Sequence, residues 1–97
     1  MNSCQHTEQE IQTERCRRIR VSVWAYAYEV MSVSLVSDHM FDSQCRLVDG
    51  CINTGNAKLD HFFRTEFNAH TGMWIHKHPD LEGVRKLYNK WIQSAGD

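Results

Sequence analysis

The stretch with the most chemistry in it is residues 26–42, YAYEVMSVSLVSDHMFD. Two tyrosines, Tyr26 and Tyr28, stand shortly before two aspartates, Asp38 and Asp42, with Phe41 beside them. From Ser37 the string S-D-x-x-F-D reads as a helix start. Ser37 can cap the free backbone N–H groups, and Asp38 suits the positive end of the helix dipole. Asp38 and Asp42 are four apart, so on a helix they share one face. A tyrosine-bearing helix meeting a short acidic helix with an aromatic ring can grip a small polar ring compound. The same pieces also make an ordinary helix–helix corner, with Asp38 serving the helix start and Phe41 filling the angle.

Four helices are needed to position these residues. Thr7 and Glu10 form a capping box that opens a first helix over 8–31. Its Ile11, Ile19, Val23, Tyr26 and Val30 recur at helical spacing. Val21, Val23, Ala25 and Ala27 alternate, so a strand is the competing reading there. Residues 32–36 form a turn. A second helix over 38–48 directs Met40, Phe41, Cys45 and Val48 inward, and Asp49-Gly50 stops it. Asn53-Thr54-Gly55-Asn56 is turn chemistry, and Asn56 can cap a third helix over 57–67 with the stripe Leu59, Phe62, Phe63 and Phe67. Met73, Trp74, Ile75 and His76 read as a short extended piece. Pro79 suits the first position of a fourth helix, whose buried face is Leu81, Val84, Leu87, Tyr88, Trp91 and Ile92. The expected architecture is mainly α: one small domain of about four helices over 7–93, with a helix-turn-helix corner, a flexible start at 1–6 and a tail at 94–97.

Composition narrows the function classes. A 97-residue chain of formal charge −1 and 41% hydrophobic residues describes a globular domain and gives no global case for nucleic acid. The charge is uneven: the middle is acidic, while Arg15, Arg17, Arg18 and Arg20 form the densest basic patch. That patch is a solvated helix face alongside Glu10 and Glu14, or a phosphate contact to nucleic acid or a nucleotide. No apolar run has the length of a membrane span, and the start lacks a signal-peptide pattern, so the expectation is a cytoplasmic protein without membrane contact. Cys4, Cys16, Cys45 and Cys51 follow no zinc spacing; with His76 and His78 too far along the chain to complete a site in any standard pattern, the expectation is reduced thiols and no metal. There is no G-x-G-x-x-G, Walker loop, H-E-x-x-H or nucleophile elbow.

Residues 15–42, and more loosely His78-Pro79-Asp80-Leu81, resemble the N-terminal Ia segment of bacterial NAD-dependent DNA ligases. There a helix ending in a tyrosine pair is followed by a short link, an [SP]-D-x-x-Y-D helix and H-P-E-L. The resemblance implies helix rather than strand for 20–30. It also implies a site for the nicotinamide mononucleotide (NMN) half of NAD, with Tyr28 stacking on the ligand and Asp38 and Asp42 on its polar edge. Phe41 stands where the family has tyrosine, and Glu29 where it commonly has histidine. That glutamate opposes an anionic ligand. The K-x-D-G lysine that accepts AMP is missing: Leu47 and Val48 precede Asp49-Gly50. The expectation is therefore a non-enzymatic binding module without a required cofactor, a solitary relative of the kind found among phage proteins. Its foremost occupant would be a protein partner, for instance a host defence or nucleic-acid enzyme that it inhibits, met through Trp24, Glu29, Asp49 and Trp74. NMN or NAD binding through Tyr26, Tyr28, Asp38, Phe41 and Asp42 is the alternative, and nucleic-acid binding through the four arginines a lower one.

Overall fold

The computed structural model describes residues 6–95, so the expectations placed on 1–5 and 96–97 lie outside the described residues. The chain forms α1 (Glu8–Glu29), α2 (Asp38–Leu47), α3 (Ala57–Thr65), a 3₁₀ helix (Met73–Lys77) and α4 (Leu81–Ala95), with no strand among the described residues. The mainly helical, single-domain architecture is as the sequence implies, and the strand reading of 21–27 falls.

Local chemistry sets the helix starts. Thr7 Oγ1 accepts the Glu10 N–H at 3.1 Å, while Glu10 Oε1 accepts the Thr7 N–H at 2.8 Å, a complete capping box. Ser37 Oγ accepts from the Met40 N–H at 3.1 Å, and Asn56 Oδ1 from the Leu59 N–H at 3.1 Å. The fourth helix starts two residues later than Pro79 implies. Asp80 is the residue that closes its first turn, accepting the Gly83 N–H at 3.1 Å. α1 ends at Glu29, where Ser32 takes a left-handed φ of 57° and the Val33 N–H returns to the Ala27 carbonyl at 2.8 Å. Of the tail assigned to 94–97, residues 94 and 95 belong to α4, which continues to Ala95.

α1 is the central element and packs against α4, the 3₁₀ helix and α2. Between residues 21 and 27 only Trp24 is not buried, so that segment is enclosed on nearly all sides. Its core contacts include Tyr26 on Tyr88, with ring centroids 5.5 Å apart, and Val84 and Ile75 in the same cluster. A second aromatic group joins α3 to the 3₁₀ helix: Trp74 lies 6.1 Å from Phe62, 5.9 Å from Phe63 and 4.8 Å from Phe67. The piece expected to be extended at 73–76 is helical instead. Trp74 Nε1 donates to the Thr71 carbonyl at 2.6 Å, and the Ile75 N–H bonds the Gly72 carbonyl, which tightens the backbone into a 3₁₀ turn. Met40 and Ile92, which the spacing directs inward, are each more than a third exposed, as are Ile19 and Val30.

The polar interior is the larger correction. Glu14, Arg18 and Ser22 follow one another at helical spacing on the buried side of α1. Arg18 is 4% exposed and donates through Nε to Glu14 at 2.8 Å and through Nη1 to Asp60 at 2.8 Å. Its Nη2 donates to the Asp49 and Ile52 carbonyls at 2.8 and 3.0 Å. Asp60 also accepts from the Thr54 N–H and hydroxyl, the latter at 2.7 Å. Glu14 accepts the Asp49 N–H at 3.0 Å. Arg15 donates to the Thr54 carbonyl, and Arg64 to the Gly50 carbonyl and Asn53. Arginine side chains therefore stitch the loop at 48–56 down, satisfying carbonyls that secondary structure would otherwise occupy. Gly50 is a tight point in this loop: a Cβ there would stand 3.0 Å from the Phe63 carbonyl oxygen and 3.1 Å from Arg64 Cα, so the backbone would have to give by a few tenths of an ångström.

Candidate functional site

Tyr28, Asp38, Phe41 and Asp42 line one cavity of about 300 Å³. The C-terminal part of α1 supplies Trp24, Ala25, Tyr28 and Glu29; α2 supplies Asp38, Phe41 and Asp42; the turn at 34–36 and residues 71–72 close the sides. The positions follow from helix geometry. Residues 24, 25 and 28 share one face of α1, and 38, 41 and 42 share one face of α2. Ser37 fixes where α2 begins, and so which way its two aspartates point. Phe41 is half-buried and packs on the core, and Thr71-Gly72 passes against it. A Cβ on Gly72 would meet Phe41 Cζ at 3.5 Å, Ala25 Cβ at 3.6 Å and Glu29 Cγ at 3.7 Å. The cavity floor is thus closely packed, while its rim is open: Tyr28 is 60% exposed.

The site's electrostatics are one-sided. Glu29, Asp38 and Asp42 contribute three carboxylates, Trp24, Tyr28 and Phe41 three rings, and no lining residue is a lysine, arginine or histidine. Outside the lining, His76 Nε2 lies 3.9 Å from Glu29 Oε1. Such a lining disfavours an anion and favours a cation, which the ring faces attract in addition to the carboxylates.

Other expected site residues are placed elsewhere. Tyr26 is 5% exposed and packs in the core against Tyr88 with the rings tilted, so it does not join Tyr28 in the cavity. Residues two apart on a helix point in nearly opposite directions, and only one tyrosine of the pair can face the cavity. Trp74 is 4% exposed inside the aromatic cluster and offers no interface surface. Asp49 lies in the stitched loop, where its Oδ1 accepts the Cys51 N–H at 2.9 Å. Trp24 and Glu29 do reach the cavity. Among the arginines, Arg15, Arg17 and Arg18 donate to the protein's own oxygens, Arg17 to Glu14 at 2.8 Å, and Arg20 is half-buried. Arg18 is 4% exposed and its donors are taken by Glu14, Asp60 and two loop carbonyls, and drawing it away would leave Asp60 buried without its counter-ion.

His78 and Asp80, the later echo of the ligase pattern, line a different and larger cavity between α1, α3 and α4. The two halves of that pattern therefore do not converge on one site. No group of three or more metal-ligating side chains is present among the described residues. No helix among them is long and apolar enough to cross a membrane. The Cys45 thiol, buried at the α1–α2 contact side of α2, is pushed up to about 12, first by burial and then by the Asp42 charge, which makes it a poor nucleophile. No family model, curated protein or solved structure matches the chain.

Proposed function

We propose that the chain is a non-catalytic binding module that receives a cationic side chain, arginine or lysine, of a protein partner in the cavity bounded by Tyr28, Asp38, Phe41 and Asp42. The observation that carries this reading is the meeting of three carboxylates and three aromatic rings in one open-rimmed cavity without a basic lining residue. A cation over an aromatic face contributes about 0.5–2 kcal/mol, depending on how far it is desolvated. One such side chain alone reaches only weak affinity, so the partner must cover surrounding surface as well. Exposed Val30, Met31 and Val33 lie on the chain leaving α1, and Met40 is exposed on α2; together they offer apolar area near the cavity.

The likeness to the ligase Ia segment supports a second reading, in which the ring of a nicotinamide nucleotide takes the place of the side chain. That ring is itself cationic, which suits the rings and carboxylates. Its phosphate would meet Glu29 and the two aspartates, which does not. Calorimetry separates the readings. An arginine-containing peptide should bind while its citrulline counterpart does not, and the 1-methylnicotinamide cation should bind more tightly than NMN. Tighter binding of NMN than of 1-methylnicotinamide would favour the nucleotide. Equal heats from the arginine and citrulline peptides would remove the cation reading.

A further inference from the structure

We propose that the larger cavity, between α1, α3 and α4, is a second ligand site, for an uncharged and largely apolar molecule carrying one hydroxyl or carbonyl group. The cavity measures about 540 Å³, within the range of small-molecule sites. Its walls are mainly apolar: Ile19 from α1, Leu59 and Phe63 from α3, Val84 and Leu87 from α4. Ser22 also lines it. This serine is 2% exposed, and its hydroxyl oxygen has no hydrogen-bond partner. A buried hydroxyl without a partner is costly, and because Ser22 belongs to the lining, a ligand's polar group is the partner assigned to it.

Two further features define the ligand. His78, also in the lining, accepts the Asp80 N–H on Nδ1 at 3.0 Å. In the neutral ring the proton is then on Nε2, which leaves a donor for a ligand oxygen. Burial holds this imidazole below its ordinary value of 6.5 against the opposing Asp80 charge, so it is neutral at pH 7. The lining charges also balance. Arg18 and the neighbouring Arg17 are neutralised by Glu14 and Asp60, and Arg15 at one side is matched in number by Asp80 at another. Nothing there selects an ion, in contrast with the acidic cavity at Tyr28.

The test uses the full chain and three probes of similar shape: p-cresol, toluene and benzoate. Backbone amide NMR spectra should show saturable shifts with p-cresol, centred on Ser22, Leu59, Phe63 and Val84, with weaker binding of toluene and of benzoate. Ser22→Ala should weaken p-cresol by about threefold to tenfold, the range for one hydrogen bond, and leave toluene unchanged. Should that variant fail to fold, the order of the three probes on the native chain decides. Absence of saturable shifts, shifts centred outside the cavity, benzoate binding as tightly as p-cresol, or an equal effect of Ser22→Ala on p-cresol and toluene would each overturn the assignment.

Discussion

Replacing Arg18 with methionine is the most demanding test of the polar interior. The residue is 4% exposed and makes four hydrogen bonds, two to the carboxylates of Glu14 and Asp60 and two to the Asp49 and Ile52 carbonyls. Methionine fills much of the volume but leaves Asp60 buried without a counter-ion and Glu14 with Arg17 alone. Breaking a buried ion cluster by removing one partner costs about 3–5 kcal/mol. A domain of this size has a total stability of about 5–15 kcal/mol, so the loss is a large part of the whole. The thermal midpoint should fall by at least about 12 °C, taking about 4 °C for each kcal/mol. Urea unfolding followed by tryptophan fluorescence measures the free-energy loss, and thermal unfolding followed by circular dichroism measures the midpoint. Lys90→Met, at an exposed site on α4, is the control and should change stability by no more than about 0.5 kcal/mol. The reasoning is refuted if Arg18→Met behaves like that control, because Arg18 would then be a surface residue as its place in the basic patch first implies. In the double variant Arg18→Met/Asp60→Asn the losses should fall well short of additive, since the second substitution removes the stranded charge.

Three other outcomes follow from named contacts. Burial pushes the Asp60 carboxyl up, but hydrogen bonds from Thr54 and Arg18 outweigh it and hold the group below its ordinary value of 3.8. Its stabilising contribution is therefore complete above 3.8 and is lost as pH falls through the lower folded value, so Asp60→Asn should flatten the acid limb of a stability-versus-pH curve. Thr7→Ala removes the hydroxyl of the capping box and should cost about 1 kcal/mol in urea unfolding, with the fraying confined to the first turn of α1 by amide exchange. Cys45, with its thiol buried and pushed up to about 12, should react with iodoacetamide far more slowly in the native chain than in urea, as read by peptide mass spectrometry.

The helix starts were legible because each depends on residues three apart: Thr7 with Glu10, Ser37 with Met40, Asn56 with Leu59. The acidic cavity was partly legible for the same reason. The spacing of Asp38, Phe41 and Asp42 fixes a shared face, and the short turn at 32–36 forces that face back towards the end of α1. Its far wall at 71–72 was not legible, since nothing near residue 28 in sequence specifies which distant loop will pass there. The tyrosine pair misled on one member, because spacing alone does not say which of Tyr26 and Tyr28 turns to the core. The polar stripe of α1 was hidden by a sound general rule. Charged residues on a helix mostly face water, and the partners that make Glu14 and Arg18 exceptions, Asp60 and the loop carbonyls, lie at least 31 residues away from Arg18. The 3₁₀ helix escaped notice because a five-residue segment with aromatic and branched residues has the composition of a strand, and its conformation is decided by the Trp74 bond to Thr71.

The measurement that bears most directly on the proposed role is an NMR titration of the native chain with an arginine tripeptide. Saturable shifts should appear at Trp24, Tyr28, Asp38 and Phe41, weaken as salt is raised, and disappear in Asp38→Asn/Asp42→Asn with the fold retained. Shifts that never saturate, that map to another face, or that persist unchanged in the doubly neutralised variant would contradict a cation-receiving cavity.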